Sequence, residues 1–303
     1  MQSISFYFKN PQTVGNILLY YFCRWMPDKM YLKLKYRLWM GEKLNLTNPH
    51  TFSEKLQWLK LYNRKPEYTI MVDKVKVKDY VASVIGDKYI IPTLGVWDDP
   101  EKIDFDSLPQ RFVLKCNHNS GLGMYICKDK STMDVVKVKR DLKKGLKQNF
   151  YIGNREWPYK DVPRRILAEQ FIEHDPNVRD LPDYKFFCFN GKVKALFVAT
   201  DRHTIGEEVK FDFFDAEYNH LPFLQGHDNA IIPPPKPSSF EEMKDLASRL
   251  SRGIPHVRID FYEHNNRPLF GEMTFFHFGG NTPFRPNDWD LIFGEWLDLP
   301  QKK

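Results

Sequence analysis

Two short segments near the C-terminal end carry side chains that could do chemistry together. They are Val257-Arg258-Ile259-Asp260-Phe261-Tyr262 and Phe270-Gly271-Glu272-Met273-Thr274-Phe275. Each alternates polar with apolar residues at the period of a half-buried strand, and the intervening Glu263-His264-Asn265-Asn266-Arg267-Pro268 has turn composition. The pair predicts a β-hairpin. With the loop centred on Asn266, Asp260 lies opposite Glu272 and Arg258 opposite Thr274, because antiparallel partners sum to a constant. These four side chains share one face, while Ile259, Phe261, Met273 and Phe275 take the other and enter a core. Two facing carboxylates repel by about 4 kcal/mol at a separation of roughly 4 Å if the effective dielectric is near 20. A bound cation removes that cost. Mg²⁺ suits such a pair because it is commonly held by one or two carboxylates together with phosphate oxygens. Arg258 beside it could grip a transferring phosphoryl group with two parallel hydrogen bonds. An ordinary hairpin with Asp, Glu and Arg on its solvated face would look the same, and a one-residue slip in the loop would spoil the register.

The elements that must position these residues belong to a chain of 303 residues, 42% hydrophobic and 15% aromatic, long enough for one large domain or two smaller ones. Its 45 basic and 39 acidic residues leave +6, spread along the chain, so the basic stripe of a dedicated nucleic-acid binder is missing. Cys23, Cys116, Cys127 and Cys188 stand far apart without metal-ligand spacing, as expected of reduced cysteines in a cytoplasmic protein. The nine histidines form no close pair on one helix face, so zinc has no sequence support. The longest apolar run, Ile17 to Cys23, is far below the roughly 20 residues of a membrane-spanning helix. Only Lys9 precedes it and no small-residue cleavage pattern follows, so neither a span nor a secretory signal is expected. Residues 17–43 then interleave Arg24, Lys29, Lys33, Lys35, Arg37 and Lys43 with aromatic and aliphatic residues. That pattern fits an amphipathic helix packed on the main domain, and also peripheral contact with the inner face of a membrane.

Residues 1–70 read as a helical region, with Thr51 and Glu54 forming a capping box. Asp73 is expected to N-cap a helix from Lys74 to Val84, ended by Gly86. Strands are expected at Tyr89 to Pro92, Arg111 to Cys116 and Met124 to Cys127, then a helix from Val135 to Phe150 whose apolar residues recur near 3.6. Strands return at Arg165 to Ile172. Tyr184 to Phe189 is joined to Lys192 to Thr200 by Asn190-Gly191, a strong hairpin signal. Here Tyr184, Phe186 and Cys188 are expected to pair with Phe197, Ala195 and Val193, leaving Asp183, Lys185, Lys192 and Lys194 on the polar face. Ile231 to Pro237 is a proline-stiffened loop, and Ser238 with Glu241 is expected to cap a helix to about Leu250. Hairpins flanked by helices, without regular βαβ alternation, predict an α+β fold with largely antiparallel sheets.

Two further stretches add chemistry. Lys115 sits on a strand just before a loop holding Gly121 and Gly123, which can bring backbone N–H groups close to phosphate oxygens. This is not a Walker A sequence, in which the lysine follows the glycines and opens a helix. Ala168-Glu169-Gln170-Phe171-Ile172-Glu173 is an apolar strand end whose polar groups could meet an adenine. Each signal alone is common. Their order along the chain resembles the ATP-grasp superfamily, and the wording of the segments is similar to its TupA-like branch, found among bacterial surface-polysaccharide genes. The matching stretches are DKVKVKDYV (73–81), FVLKCNHNSG (112–121), LAEQFIE (167–173), DYKFFCFNGK (183–192), VRIDFY (257–262) and GEMTFFHFGG (271–280).

The resemblance implies an ATP-grasp fold of two α+β subdomains, 71–164 and 165–303, clasping a nucleotide after the helical region 1–70. It implies that Lys74 and Lys115 hold nucleotide phosphates and that the loop from His118 through Asn119, Ser120 and Gly121 to Gly123 closes over them. Glu169, Gln170, Phe171 and Ile172 would form the adenine hinge, and Glu173 or Asp175 would hold the ribose. Lys185 would add charge. Arg258, Asp260 and Glu272 would form the catalytic and Mg²⁺ end, with Thr274 standing where many ATP-grasp enzymes have an asparagine. The implied reaction is ATP- and Mg²⁺-dependent amide formation through an acyl phosphate, with an amino acid joined to a uronic-acid carboxylate of a capsular or lipopolysaccharide glycan. Arg202, His203 and Gly279-Gly280-Asn281 are candidate acceptor contacts. A glycosyltransferase using a nucleotide sugar is the rival, with Asp104-Phe105-Asp106 or Asp288-Trp289-Asp290 as metal motifs. A non-catalytic assembly protein on a membrane complex is the third reading.

Overall fold

A computed structural model describes residues 11–173, 181–202 and 206–302. The N-terminal region forms helices α1 (Pro11–Phe22), α2 (Asp28–Met40), α3 (Phe52–Tyr62) and α4 (Glu67–Val72). The predicted capping box starts α3, with the Thr51 side chain accepting from the Glu54 amide and Glu54 reaching back to Thr51. The next helix, α5, runs Val77–Ile85, three residues later than expected. Asp73 does not cap it. Its side chain accepts from the Val75 amide and from Asn117 and Arg165, long-range partners that fix a turn at 74–76 instead.

The first sheet contains β1 (Thr93–Trp97), β2 (Phe112–Cys116), β3 (Tyr125–Cys127) and β4 (Ile166–Gln170), in the order β1-β4-β2-β3 and antiparallel throughout. The strand expected at Tyr89 begins only at Thr93. Because β4 is an inner strand here, the division expected after residue 164 cuts through this sheet, and its last strand ends at Gln170. Helices α6 (Val135–Lys147) and α7 (Phe150–Asn154) split the single helix expected to Phe150. On one sheet face Phe112, Leu114, Ile166 and Ala168 pack with Val138 and Leu142 of α6 in a small core. Strand alternation then sends Val113, Lys115 and Glu169 to the other face.

The second sheet runs β10-β9-β5-β6-β7, from β5 (Asp183–Phe189), β6 (Lys192–Thr200), β7 (Lys210–Asp215), β9 (Val257–His264) and β10 (Arg267–Thr274). A short pair, β8 (Leu224–Gln225) with β11 (Phe284–Arg285), stands apart. Asn190 and Gly191 make the β5–β6 turn as expected, both at positive φ. A bulge after Phe187 shifts the ladder: Tyr184 pairs with Val198 and Phe186 with Leu196, one residue from the expected partners, while Cys188 still faces Val193. One face of this sheet packs on α8 (Phe240–Leu250), where Phe186 meets Phe240 at 5.9 Å between ring centroids. No side chain caps α8. The Ser239 amide and hydroxyl both donate to Glu263. The opposite face is apolar at one end, where Phe187 contacts Phe52 of α3 and Phe293 of α9 (Asp288–Trp296). At its other end it is polar.

Candidate active site

In the β9–β10 hairpin Glu272 pairs with Asp260, Met273 with Ile259 and Thr274 with Arg258, as the alternation predicts. The turn is tighter than expected. Asn265 and Asn266, both at positive φ, form a two-residue turn, and a bulge at Gly271 restores the register before the functional residues. On the neighbouring strand Lys185 pairs with Asp260 and Asp183 with Tyr262, so three adjacent strands bring Asp183, Lys185, Arg258, Asp260, Glu272 and Thr274 to one face.

These side chains form a continuous network. Arg258 grips Asp260 with two hydrogen bonds of 2.7 Å, from Nε to Oδ1 and from a terminal nitrogen to Oδ2. It also donates to Thr274 Oγ1 at 3.0 Å and Glu272 Oε1 at 3.3 Å, and contacts His277 Nδ1 at 2.9 Å. Lys185 Nζ lies 2.5 Å from Asp260 Oδ2 and 2.5 Å from Asp183 Oδ2, and Arg202 donates to the same Asp183 oxygen at 2.5 Å. Glu272 is held more loosely, with Lys74 at 3.4 Å, and its side chain keeps 29% exposure. Burial works against its charge, yet Lys74, Lys185, Arg258 and Lys115 together hold its carboxyl well below the usual carboxylate range. It is a charged, accessible oxygen donor at neutral pH.

Between the two sheets lies a cleft with two connected ends. One has apolar walls from Ile91, Val113, Ile126, Phe171 and Ile172, with Gln170 at its edge. The other is lined by Lys74, Asn119, Ser120, Gly121, Asp183 and Glu272. Lys115, Met124, Arg202 and Tyr262 line both. An apolar slot that shares walls with a chamber lined by both cations and carboxylates suits a heterocycle carrying phosphates and a cation.

The structure brings most of the expected residues to this cleft and redirects others. Glu169 is not free for an exocyclic amine: it forms ion pairs with Lys115 and, at 2.7 Å, with Lys78 of α5. Burial opposes its charge, and Lys115 and then Lys78 more than offset it, lowering its pKa. His118 turns away from the cleft onto the Gln148 carbonyl, and Asn119 donates to the Gly145 carbonyl. The accessible tip of the loop is Ser120-Gly121. Gly121 has open space around its Cβ position at φ +82°, whereas Gly123 is wedged against Cys116 Sγ and Gly145. Glu173 stands outside, half exposed and paired with Arg111 at 2.7 Å. Asp175 and His203 lie outside the described residues. Lys74 Nζ faces Glu272 and donates to the Asn119 carbonyl at 2.8 Å.

Thr274 Oγ1 accepts from Arg258 and donates to Glu272 at 3.4 Å, so its hydroxyl is already engaged. The Gly279 and Gly280 carbonyls accept from Gln57, and Gly279 also from Lys60, while Asn281 donates back to Gly279. This loop is braced by α3. Asp104 accepts the amides of Asp106 and Ser107 as a turn, and buried Asp290 accepts the Ser53 amide. Neither Asp-x-Asp motif lines the cleft. Sequence reading missed Lys78, Tyr262 and the role of Asp183; the alternation that placed Asp183 with Lys185 was the available signal.

A model of the family described as TupA-like ATPgrasp matches residues 54–298 of the chain. No curated protein matches it. Among solved structures, D-alanine–D-alanine ligase from Bacillus anthracis complexed with ATP is similar at 16% identity, covering 68% of this chain and 54% of that one, with TM-score 0.39. D-alanine–D-alanine ligase from Helicobacter pylori is similar at 13% identity over 81% of this chain and 69% of that one, TM-score 0.44. N5-carboxyaminoimidazole ribonucleotide synthetase from Thermus thermophilus follows at 12% identity over 74% and 51%, TM-score 0.39. The chain thus spans little more than half the length of the first and third.

Proposed function

Since the chain belongs to the TupA-like ATP-grasp family, we propose that it is an ATP- and Mg²⁺-dependent carboxylate–amine ligase. In this reading a substrate carboxylate attacks the γ-phosphate, giving an acyl phosphate and ADP. An amine then displaces phosphate to form an amide. The family's setting favours a uronic-acid carboxylate of a capsular or lipopolysaccharide glycan as the acid and an amino acid as the amine. The observation that carries the proposal is the two-ended cleft, whose apolar slot and cationic chamber meet at Lys115.

The residues present suit the cofactors. The apolar slot and the backbone at Gln170 to Ile172 would hold the adenine, and Lys74, Lys115 and the Ser120-Gly121 tip the phosphates. Glu272 and Asp260 would hold Mg²⁺, which when bound neutralises phosphate charge. Phosphoryl transfer is mainly positioning and charge stabilisation, so cationic side chains suffice and no covalent nucleophile is needed. Glu169, by gripping Lys78 and Lys115, orients the second of these toward the seam of the cleft. The glycosyltransferase reading finds no support in its Asp-x-Asp motifs, one forming a turn and the other bracing α3.

Thermal unfolding with ATP or with UDP-sugars, each with and without Mg²⁺, tests the reading. ATP with Mg²⁺ at a hundred times its dissociation constant should add about 2.7 kcal/mol of stability. A shift with UDP-sugars and none with adenine nucleotides would overturn it.

We also propose a peripheral contact with the inner face of a membrane. Among the described residues no helix is long and apolar enough to cross one. Leu18, Tyr21, Phe22, Trp25 and Met30 are exposed beside exposed Arg24, Lys29 and Lys33. The turn bearing them is fixed from behind by buried Arg155, which donates to the Cys23, Arg24 and Met26 carbonyls. Aromatic side chains flanked by cations suit an anionic lipid surface. Sedimentation with vesicles containing phosphatidylglycerol should exceed that with phosphatidylcholine alone, and Trp25→Ala should weaken it. Equal, negligible sedimentation with both would remove the membrane contact.

A further inference from the structure

The cation end of the cleft contains an oxygen that has no partner among the described residues. Asp183 Oδ1 makes no hydrogen bond to them, although the side chain is only 2% exposed and the residue lines the phosphate chamber. Leaving a buried carboxylate oxygen unpaired is costly. Its other oxygen shares Lys185 Nζ with Asp260, each 2.5 Å away, so those two carboxylate oxygens are at most twice that distance apart. A lysine ammonium thus sits between two carboxylates, one of which has an oxygen to spare at the chamber. Thr274, standing where the family pattern offers a ligand, has its hydroxyl committed to Arg258 and Glu272.

We propose that Asp183 is an oxygen ligand of the divalent-cation site and that Lys185 and that cation compete for the same two carboxylates, Asp183 and Asp260. The charges explain why such competition would matter. Asp183, Asp260 and Glu272 face Lys74, Lys185, Arg202 and Arg258, so the protein's own cations already outnumber these carboxylates. A divalent cation gains little there unless Lys185 leaves. Nucleotide phosphates give the lysine somewhere else to go, and its departure opens one acceptor position on an oxygen of each carboxylate, oxygens that Arg202 and Arg258 continue to hold, beside the one Asp183 already holds unpaired. Metal uptake would in this way be tied to nucleotide uptake by a single side chain.

The proposal rests on the Mg²⁺-nucleotide reading of the cleft, but its test uses no nucleotide, so the two can fail separately. Free Mn²⁺ is measured by electron paramagnetic resonance during titration of the full chain. Lys185→Met should bind Mn²⁺ on the order of tenfold more tightly than the unaltered protein, and adding Asp183→Asn should abolish that gain. If Lys185→Met does not fold, Lys185→Gln keeps an amide that can donate to both carboxylates and should show a smaller gain of the same sign. No gain from removing the ammonium, or a gain that survives Asp183→Asn, would overturn the proposal.

Discussion

Glu272→Gln should lower ATP-dependent turnover by about 10²- to 10³-fold, the range seen when one preorganised charge partner is removed, and should also lower the melting temperature in EDTA, because a carboxylate held charged by its neighbours stabilises the fold. Both effects follow from how this residue is held. Its contacts are long, 3.3 Å to Arg258 and 3.4 Å to Lys74, and its side chain is 29% exposed, so solvent screens part of its contribution to the fold. Its charge, by contrast, is held in place by four cations, and an amide of the same shape cannot supply it. ADP release in the presence of uronic-acid acceptors and amino acids measures the first effect and a melting curve the second. Turnover equal to that of the unaltered protein would take Glu272 out of the chemistry.

Arg258→Ala should destabilise the protein by about 3–5 kcal/mol, because removing one partner of a buried ion pair leaves the other charge uncompensated. Asp260 is 1% exposed and receives two of its hydrogen bonds from Arg258. The same guanidinium holds Thr274 and Glu272 across the hairpin and meets His277 beyond it, so its loss unties both hairpin strands and the loop that follows them. Lys185 would still face Asp260 and should limit the damage. Urea unfolding reads the effect as a lower midpoint at unchanged slope. Arg258→Lys should fall between, since an ammonium restores charge without the two-pronged geometry. A loss below about 1 kcal/mol for the alanine variant would mean that Lys185 alone sustains the buried carboxylate.

What local pattern decides was legible in the sequence. The period of two placed Asp260 opposite Glu272, Asn190-Gly191 marked its hairpin, and Thr51 with Glu54 marked the start of α3. Register was correct at the active end for a partly accidental reason. The turn centres half a residue earlier than expected, and the bulge at Gly271 takes up the difference. In the β5–β6 hairpin the same kind of bulge leaves no mark in the alternation, and the pairs beyond it are displaced. Partners distant along the chain were the hidden part. Asp73 has the composition of a cap but is drawn to Asn117 and Arg165, Ser238-x-x-Glu241 loses to a bond between Ser239 and Glu263, and Glu169 meets lysines from two other elements. A carboxylate's neighbours across a sheet interface leave no trace in its own segment. Asp183 was hidden for the same reason, since its value depends on Arg202 and Asp260 arriving from other parts of the chain to meet it and Lys185.

The bulge at Gly271 also bears on how this hairpin can change over evolutionary time. A bulge adds one residue that the ladder does not use, and here that residue is a glycine lining the cationic chamber, with the Asp260 carbonyl only 3.1 Å from where a side chain would begin. Loss of Gly271 would leave every flanking pair in place and withdraw only a stretch of bare peptide from the chamber wall. A relative one residue shorter at this point would therefore present the same Arg, Asp and Glu at a different spacing. A larger residue in its place would press on the Asp260 carbonyl and the Tyr262 ring, so the partner strand would have to give. The length of this hairpin is free to drift, and the identity of its extra residue is not.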